Sequence, residues 1–260
     1  MLTRRALAVL ILALWGGVLG WHAQRVLFPG ELARLAEAAR TLPPGAAYYA
    51  LYLAGERAGW AQLDLDTLPG ATGFKTTRRV VLELPGLGSA GVSDVRTEAW
   101  QGASLALDSL MVQRITQGDT VLTSFRALRS PEDPLFLDST WPLRFAADGS
   151  ARPGDRFAVD LYDPVQGVVR RLELSVAQQA SRVWPDSADL DSLTGRWFSV
   201  REDTVQAWRV INAADGTEEE LWIDENGRVL EGPLPGGIRM ERTTFEIAFF
   251  NRNQPQGTSP

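Results

Sequence analysis

Residues 205–223 have the sequence VQAWRVINAADGTEEELWI, and this stretch indicates the fold class. The runs 205–212 and 217–223 follow the period-two pattern of β-strands. Asp215-Gly216 lies between them and favours a tight turn, because glycine readily adopts the positive φ angles that hairpin turns need. The stretch therefore predicts a β-hairpin.

The period-two pattern begins near Ala47 and extends to the end of the domain, with Gly, Pro, Asn or Asp about every eight to twelve residues. In 60–66 three apolar residues alternate with three polar ones, which predicts a strand with one buried and one wet face. The other predicted strands are 48–53, 74–84, 92–100, 107–116, 120–128, 156–162, 168–176, 228–230 and 239–250.

These strands predict an all-β fold, either an antiparallel half-barrel or a two-sheet domain, over residues 46–250. Turn-forming residues become frequent near 130–155, so a split into two lobes there is the alternative to a single domain. Residues 251–260 are polar and contain Pro and Gly, which predicts a disordered tail.

The first 28 residues have the composition of a membrane anchor. Arg4 and Arg5 precede an apolar run over 6–21 that weakens towards residue 28, so its length is close to that of a transmembrane helix. A cleaved signal peptide is the alternative, although the sequence near residues 18–20 suits a signal peptidase poorly. The anchor candidates are Leu10, Leu14, Trp15 and Trp21.

Two further predictions follow from this N-terminal region. The arginines beside the initiator amine favour a cytoplasmic N-terminus, which predicts a single-pass protein of the bacterial inner membrane with its C-terminal domain in the periplasm. Residues 29–45 are expected to form a short amphipathic helix and a linker, with Leu32, Leu35, Ala36 and Ala39 on one face. A helix this short is expected to cap the β domain, with the membrane surface as the alternative.

The chain contains no cysteine, and its single histidine, His22, lies in the N-terminal segment. The predicted β domain thus lacks the imidazole and thiolate groups that most nucleophilic and transition-metal chemistry uses. We therefore expect a non-enzyme without a cofactor or a metal site. A net charge of −6 offers no basic surface for a phosphate backbone, so nucleic acid is not an expected partner.

Two local patterns resemble binding motifs. Gly86, Gly88 and Gly91 have the spacing of a dinucleotide-binding loop, but a strand-like stretch follows them where that motif needs a helix, which favours a hairpin loop. Asp186, Asp189 and Asp191 fall in a Ser/Asp-rich stretch that we interpret as a solvated loop or a helix N-cap segment, with calcium binding as the alternative.

Nine tryptophans are present, seven of them in the β region. We assign Trp208 to the core, since it lies within a strand of mixed apolar residues. Trp141, Trp184 and Trp197 lie near Pro-rich or Asp-rich segments, so they are the candidates for contact with a partner.

Three short phrases carry a family resemblance: 55–60 (GERAGW), 152–156 (RPGDR) with Asp163-Pro164, and 221–230 (LWIDENGRVL). Together they resemble the uncharacterised β-rich domain that precedes transglutaminase-like modules in bacterial envelope proteins. The resemblance covers about residues 46–250, and the Cys, His and Asp of the catalytic module are missing from this chain. It implies an extracytoplasmic, non-catalytic β domain.

The anchor, the missing catalytic residue types and the abundant tryptophan favour an accessory or scaffolding subunit of an integral membrane protein complex, for example a respiratory or photosynthetic one. The alternative is a periplasmic carrier or sensor that holds an apolar ligand in a β half-barrel. A hydrolase that uses only carboxylates is the third and weakest hypothesis.

Overall fold

The computed structural model describes residues 14–19, 36–37, 39–83, 92–116, 119–126, 134–148, 151–164, 166–212 and 219–251. Their strands form one thirteen-stranded sheet, not two sheets. The strands are β1 (Gly45–Leu53), β2 (Glu56–Thr67), β3 (Gly73–Glu83), β4 (Val92–Gly102), β5 (Leu107–Thr116), β6 (Asp119–Arg126), β7 (Phe136–Leu137), β8 (Arg156–Asp163), β9 (Val168–Asp191), β10 (Arg196–Asn212), β11 (Glu219–Asp224), β12 (Val229–Leu234) and β13 (Ile238–Thr243). Two α-helices pack against these strands, α1 (Trp141–Asp148) and α2 (Phe245–Phe250), and Pro69–Ala71 form a short 3-10 helix between β2 and β3.

The sheet joins its two halves through the first and last strands of the domain. Its order is β6-β5-β4-β3-β2-β1-β13-β12-β11-β10-β9-β8-β7, so consecutive strands are neighbours in the sheet except β6 and β7, which lie at its two ends, and the long-range ladder is β1–β13. That ladder is antiparallel and pairs Tyr48 with Thr243 and Leu53 with Ile238. The predicted lobe boundary near 130–155 therefore falls between two halves of one continuous sheet.

The sheet curls until its two ends touch, but its hydrogen-bond ladder does not close into a barrel. Near the ends, the Leu107 amide donates to the Leu135 carbonyl at 2.7 Å. The ring of Phe125 on β6 stacks on Tyr162 of β8, with centroids 4.0 Å apart. These contacts bring the walls of the sheet around a common interior, as twisted sheets of many strands tend to do.

One end of this interior is filled by apolar side chains from α1 and from the segment before β1. Phe145 of α1 is buried with Phe74 of β3 and Ile223 of β11 in one cluster. Ala39 and Leu42 are buried in the same cluster, so the segment before β1 caps the β domain, as expected for Ala39. Leu32 and Leu35 of the predicted helix lie outside the described residues.

The predicted final strand, 239–250, is wrong beyond residue 243. Thr244 ends the strand, and its hydroxyl accepts a hydrogen bond from the Ile247 amide as the N-cap of α2. Aromatic residues have a high strand propensity, so the local sequence favours a strand there. Packing decides otherwise, because the helix places Phe249 against Trp60 on the outside of the sheet, with ring centroids 4.1 Å apart.

The interpretation of the Ser/Asp-rich stretch as a loop is also wrong. Strands β9 and β10 continue through it as a long two-stranded ribbon, here defined as residues 177–205. Much of the ribbon is exposed on both faces, so it lacks the alternating apolar pattern from which strands are predicted. Asp191 lies at its tip and accepts hydrogen bonds from the Leu193 amide and the Thr194 hydroxyl. This carboxylate therefore stabilises the turn.

Residues 14–19 are helical, and Leu14 and Trp15 are exposed. Among the described residues, no helix has both the length and the apolar character required to cross a membrane. Leu10, Trp21 and His22 lie outside those residues, as do 252–260 of the predicted tail. Asn251, the first residue of that predicted tail, is ordered, because its side chain bonds both the amide and the carbonyl of Trp197.

Candidate functional site

A cavity of about 90 Å³ lies inside the curled sheet. Strands β1 to β3 form one wall, β9 to β12 form the opposite wall, and Trp141 and Pro142 of α1 contribute to the end of the cavity. One water molecule needs about 10–15 Å³ on a comparable measure, so the space admits more than a single trapped water. The cavity exists because the two halves of the sheet face each other across the interior.

The walls of the cavity are mainly apolar and buried. Their buried members include Tyr49, Ala61, Leu172, Leu174, Val210 and Leu234. In the sheet, Tyr49 pairs with Ala61 on the neighbouring strand, and directly opposite residues in an antiparallel pair project to the same face. The alternation of β1 and β2 thus directs these side chains into the cavity, which suits it to an apolar group.

Tyr49 contributes a phenol rather than a base to this space. The side chain is almost completely inaccessible to solvent, and burial raises the pKa of its hydroxyl to about 12. The phenol therefore remains protonated at neutral pH. Its chemistry in the cavity is restricted to hydrogen bonding and apolar contact.

Polar side chains at the edge of the cavity form a rim, defined here as Arg78, Asp138, Ser139, Asn212 and Glu219. All five are half-buried or exposed, in contrast to most of the apolar wall. The Asn212 amide donates to the Glu219 carboxylate at 3.3 Å. The Asn212 Oδ1 atom is buried and accepts no hydrogen bond from the described residues, so an acceptor is available at the rim.

The cavity end formed by α1 depends on a close approach of the β11–β12 turn. Gly227 in that turn has φ +73°, and a Cβ atom there would lie 2.6 Å from the Leu143 Cα and 2.7 Å from the Pro142 carbonyl oxygen. Real Cβ contacts are not this short, so only glycine lets the turn lie against α1. The glycine that turns the chain between β11 and β12 therefore also sets the position of the helix.

A buried ion pair supports the wall from β11 and β13. Arg242 donates to Asp224 at 2.6 Å, and the two side chains are 5% and 2% exposed. Asp224 also accepts from the backbone amides of Asn226 and Arg228. Burial, together with the charge of Arg242, lowers the pKa of Arg228. Through these hydrogen bonds, the Asp224 carboxylate links the β11–β12 turn to the last strand, β13.

The three tryptophans proposed as partner contacts have different environments. Trp141 is the first residue of α1, is only 4% exposed and packs in the core, so the prediction that it forms an exposed contact is wrong. Trp184 is half-buried beneath Arg242, whose Cζ atom lies 3.7 Å from the ring centroid. Trp197 is half-buried and stacks on Phe250 at 5.8 Å.

Other motifs from the sequence do not contribute to the cavity. The glycines of 86–91 lie outside the described residues. Asp186 and Asp189 lie in β9 within the ribbon, where Asp186 pairs with Arg201 across the two strands. Trp208 is half-buried and packs edge-on against Phe145 at 5.6 Å, which agrees with its assignment to the core.

Sequence analysis did not identify the cavity residues. One signal was present in β3, where two adjacent arginines, Arg78 and Arg79, necessarily project to opposite faces of the sheet. One of the two therefore had to lie on the face that carries the apolar residues of the neighbouring strand. The identity of that residue depends on the register, which pairs Arg78 with Leu63.

No protein-family description and no curated protein matches this chain. Among solved structures, the chain is similar to a β-barrel-like protein of the domain of unknown function DUF1849 from Brucella abortus. The identity is 14%, the match covers 78% of this chain and 95% of that chain, and the TM-score is 0.45. It is also similar to a DUF1089 family protein from Pseudomonas aeruginosa, with 9% identity, 74% and 91% coverage and a TM-score of 0.37.

Proposed function

We propose that this protein is a non-catalytic carrier or sensor that binds an apolar or amphipathic small molecule in the cavity of its curled sheet. The N-terminal segment holds the domain at the outer face of the bacterial inner membrane. The single observation that carries the binding proposal is the cavity itself, which has buried apolar walls and a polar rim. This combination is typical of small-molecule sites in proteins.

The groups around the cavity favour binding over chemistry. Tyr49 stays protonated at neutral pH because burial raises its pKa to about 12. The carboxylate of Glu219 at the rim is already engaged by Asn212. The first group keeps its proton and the second already accepts a hydrogen bond within the rim, so neither side chain is arranged as a general base beside a group that it would activate.

Photolabelling of the full-length chain tests the proposal. A short alkyl probe that carries a diazirine should label peptides from the cavity wall, including those with Leu174 and Val210, as mapped by mass spectrometry. Substitution Leu63→Trp places a large ring in the cavity and should reduce labelling about tenfold, since the apolar contacts of the probe are lost. Labelling of surface peptides alone would contradict the proposal.

A matched control separates occupancy of the cavity from general effects of an added indole. Leu122 on β6 is 65% exposed, so Leu122→Trp adds the same side chain outside the cavity. This variant should label like the unmodified chain. Thermal unfolding of both variants checks that each remains folded.

An accessory subunit of a membrane complex is the second candidate, and one surface feature favours it. Phe245 and Phe250 are 40% and 58% exposed, their ring centroids lie 5.9 Å apart, and Trp197 stacks on Phe250. Exposed aromatic groups of this kind are common at protein interfaces. Solubilisation in a mild detergent followed by size analysis tests this role, and a protein that migrates alone and as a monomer would contradict it.

A further inference from the structure

Cations on the outer face of the first half of the sheet are paired with carboxylates. Lys75 lies 2.8 Å from Glu98, and Arg79 lies 2.6 Å from Asp94. Arg96 shares Glu98 at 2.7 Å. On this face of β3 and β4 each of these three cations has an acidic partner, on the adjacent strand for Lys75 and Arg79 and two residues along the same strand for Arg96.

The inner face of the same strands differs. Arg78 is opposite Leu63 on β2 and Thr97 on β4, so it projects to the inner face and lines the cavity. It is half-buried and forms no ion pair with the described residues. The charge of Arg78 also affects a neighbouring cavity residue. Burial raises the pKa of the Tyr49 phenol, and the positive charge of Arg78 is one of those that oppose this rise.

Arg114 is a second cation on the inner face. It lies on β5 opposite Val95 and Val121, two strands across from Arg78 and two residues further along, which is about 12 Å between Cα positions at a strand spacing of about 4.8 Å and a rise of about 3.4 Å per residue. Arg114 is also half-buried, and among the described residues no carboxylate lies within ion-pair distance of it. The inner face of this half of the sheet therefore carries two guanidinium groups without a partner in the described chain, Arg78 on the cavity wall and Arg114 beyond the residues that line the cavity.

Carboxylates near the cavity belong to other elements. Asp138 follows β7, and Glu219 begins β11 and accepts from Asn212. Asp119, at the start of the end strand β6, shares the inner face with Arg114 but is exposed. The charged groups at the cavity thus belong to different elements, with Arg78 on β3 and the two carboxylates of the rim on β11 and after β7.

Half-burial of an unpaired guanidinium is unfavourable, because the group loses water without gaining an anion. Its planar fork matches the oxygens of a carboxylate or a phosphate, and such charge-assisted hydrogen bonds are among the strongest in proteins. We propose that Arg78 binds the anionic headgroup of an amphiphile whose apolar chain occupies the cavity, with Arg114, the next cation on the inner face, as a second contact of the headgroup. The inference rests on the proposed function and names its ligand class, a carboxylate or phosphate on a hydrocarbon chain.

Matched ligands test this assignment on the full-length chain. Octyl phosphate, octanoate and octanol share a chain length and differ in the headgroup, and inorganic phosphate supplies the headgroup alone. Calorimetric titration should give octyl phosphate and octanoate at least about tenfold tighter binding than octanol, as expected for charge-assisted hydrogen bonds. Inorganic phosphate should bind far more weakly than octyl phosphate, since it lacks the chain.

Variants locate the headgroup. Arg78→Gln should remove the preference for the anionic ligands over octanol, and Arg114→Gln should reduce that preference by a smaller factor. Arg79→Gln is the matched control, because Arg79 is adjacent in sequence but lies on the outer face with Asp94. Arg78→Lys keeps the charge without the fork and should retain part of the preference, which provides a second readout if Arg78→Gln does not fold.

The outcomes distinguish the two proposals. Equal binding of octanol and octyl phosphate, with no effect of Arg78→Gln, would overturn the headgroup assignment while the apolar cavity remains a binding site. Equal binding of inorganic phosphate and octyl phosphate would also overturn it, since the chain would then contribute nothing. If no alkyl compound binds, the proposed function fails and the headgroup assignment fails with it.

Discussion

Arg242 donates a hydrogen bond to Asp224 at 2.6 Å in a pair that is almost completely buried. Its Cζ atom also lies 3.7 Å from the ring centroid of Trp184, so one guanidinium connects β11, β13 and the ribbon. The wall of the cavity formed by β11 depends on this arrangement, because Asp224 also orders the turn that lies against α1.

Asp224→Asn should therefore destabilise the protein strongly. The amide oxygen can still accept from the turn, but Arg242 would be left as a buried charge without its carboxylate. Breaking a buried pair in this way costs about 3–5 kcal/mol in the free energy of unfolding, to be measured by urea denaturation. Asp186→Asn is the control: its pair with Arg201 lies in the exposed ribbon, and its loss should cost less than about 1 kcal/mol. Equal effects of the two variants would contradict the importance of burial.

Gly227→Ala should disturb the cavity end as well as the turn. The backbone there has φ +73°, which costs an L-residue about 1–2 kcal/mol, and the new Cβ would overlap α1 at a further cost of about 1–3 kcal/mol. Gly236→Ala isolates the first effect, since Gly236 has φ +85° with nothing within 4 Å of the added atom. Chemical denaturation should place Gly227→Ala clearly below Gly236→Ala in stability. Similar losses would mean that α1 moves aside freely.

Tyr49 should make the protein sensitive to alkali. Burial raises the pKa of its phenol from 10.0 to about 12. Between these values the unfolded chain releases the phenolic proton and the folded chain keeps it, so the unfolded state binds fewer protons and stability falls as pH rises. The contribution is complete below pH 10 and lost by about pH 12.

Ultraviolet absorbance of tyrosinate, followed through a pH titration, measures this effect. Tyr49→Phe should remove the step at the highest pH and flatten the loss of stability between pH 10 and 12. A titration with the same steps in both proteins would contradict the buried position of Tyr49.

Phe249→Ala should loosen α2 from the sheet. The Phe249 ring lies 4.1 Å from Trp60 and 4.5 Å from Phe245, so its removal leaves a space between the helix and β2. Because the ring is half-buried, we expect a loss of about 2–3 kcal/mol, near the lower end for buried phenylalanine. Phe250→Ala should cost less, as this ring is 58% exposed. Amide hydrogen exchange over 245–250 would report the release of the helix directly.

Several elements could be predicted from local sequence. The bounds of β5 agree with the predicted 107–116, and β3 and β8 agree within one residue at each end. In these segments one face is buried, and therefore apolar and polar residues alternate along the sequence. The ribbon was missed because both of its faces are largely exposed, and α1 was missed because a helix of eight residues supplies little periodic pattern.

The residues that line the cavity could likewise be predicted only in part from local sequence. Local sequence predicts that Ala61 and Leu63 share a face, but it does not predict that Leu174 and Val210 lie across from them. In β3 the adjacent arginines are alike in sequence. Register alone places Arg79 beside Asp94 and Arg78 on the cavity wall.

The sequence by itself determined that most of this chain forms antiparallel strands, where its hairpins turn and which side of many strands is apolar, because these properties depend on residues close together in the chain. Tertiary structure decided that β1 pairs with β13, that the sheet curls until Phe125 meets Tyr162, and that a cavity remains between its walls. These features depend on packing between residues far apart in sequence, where the geometry of the whole sheet and not the local pattern determines which side chains meet.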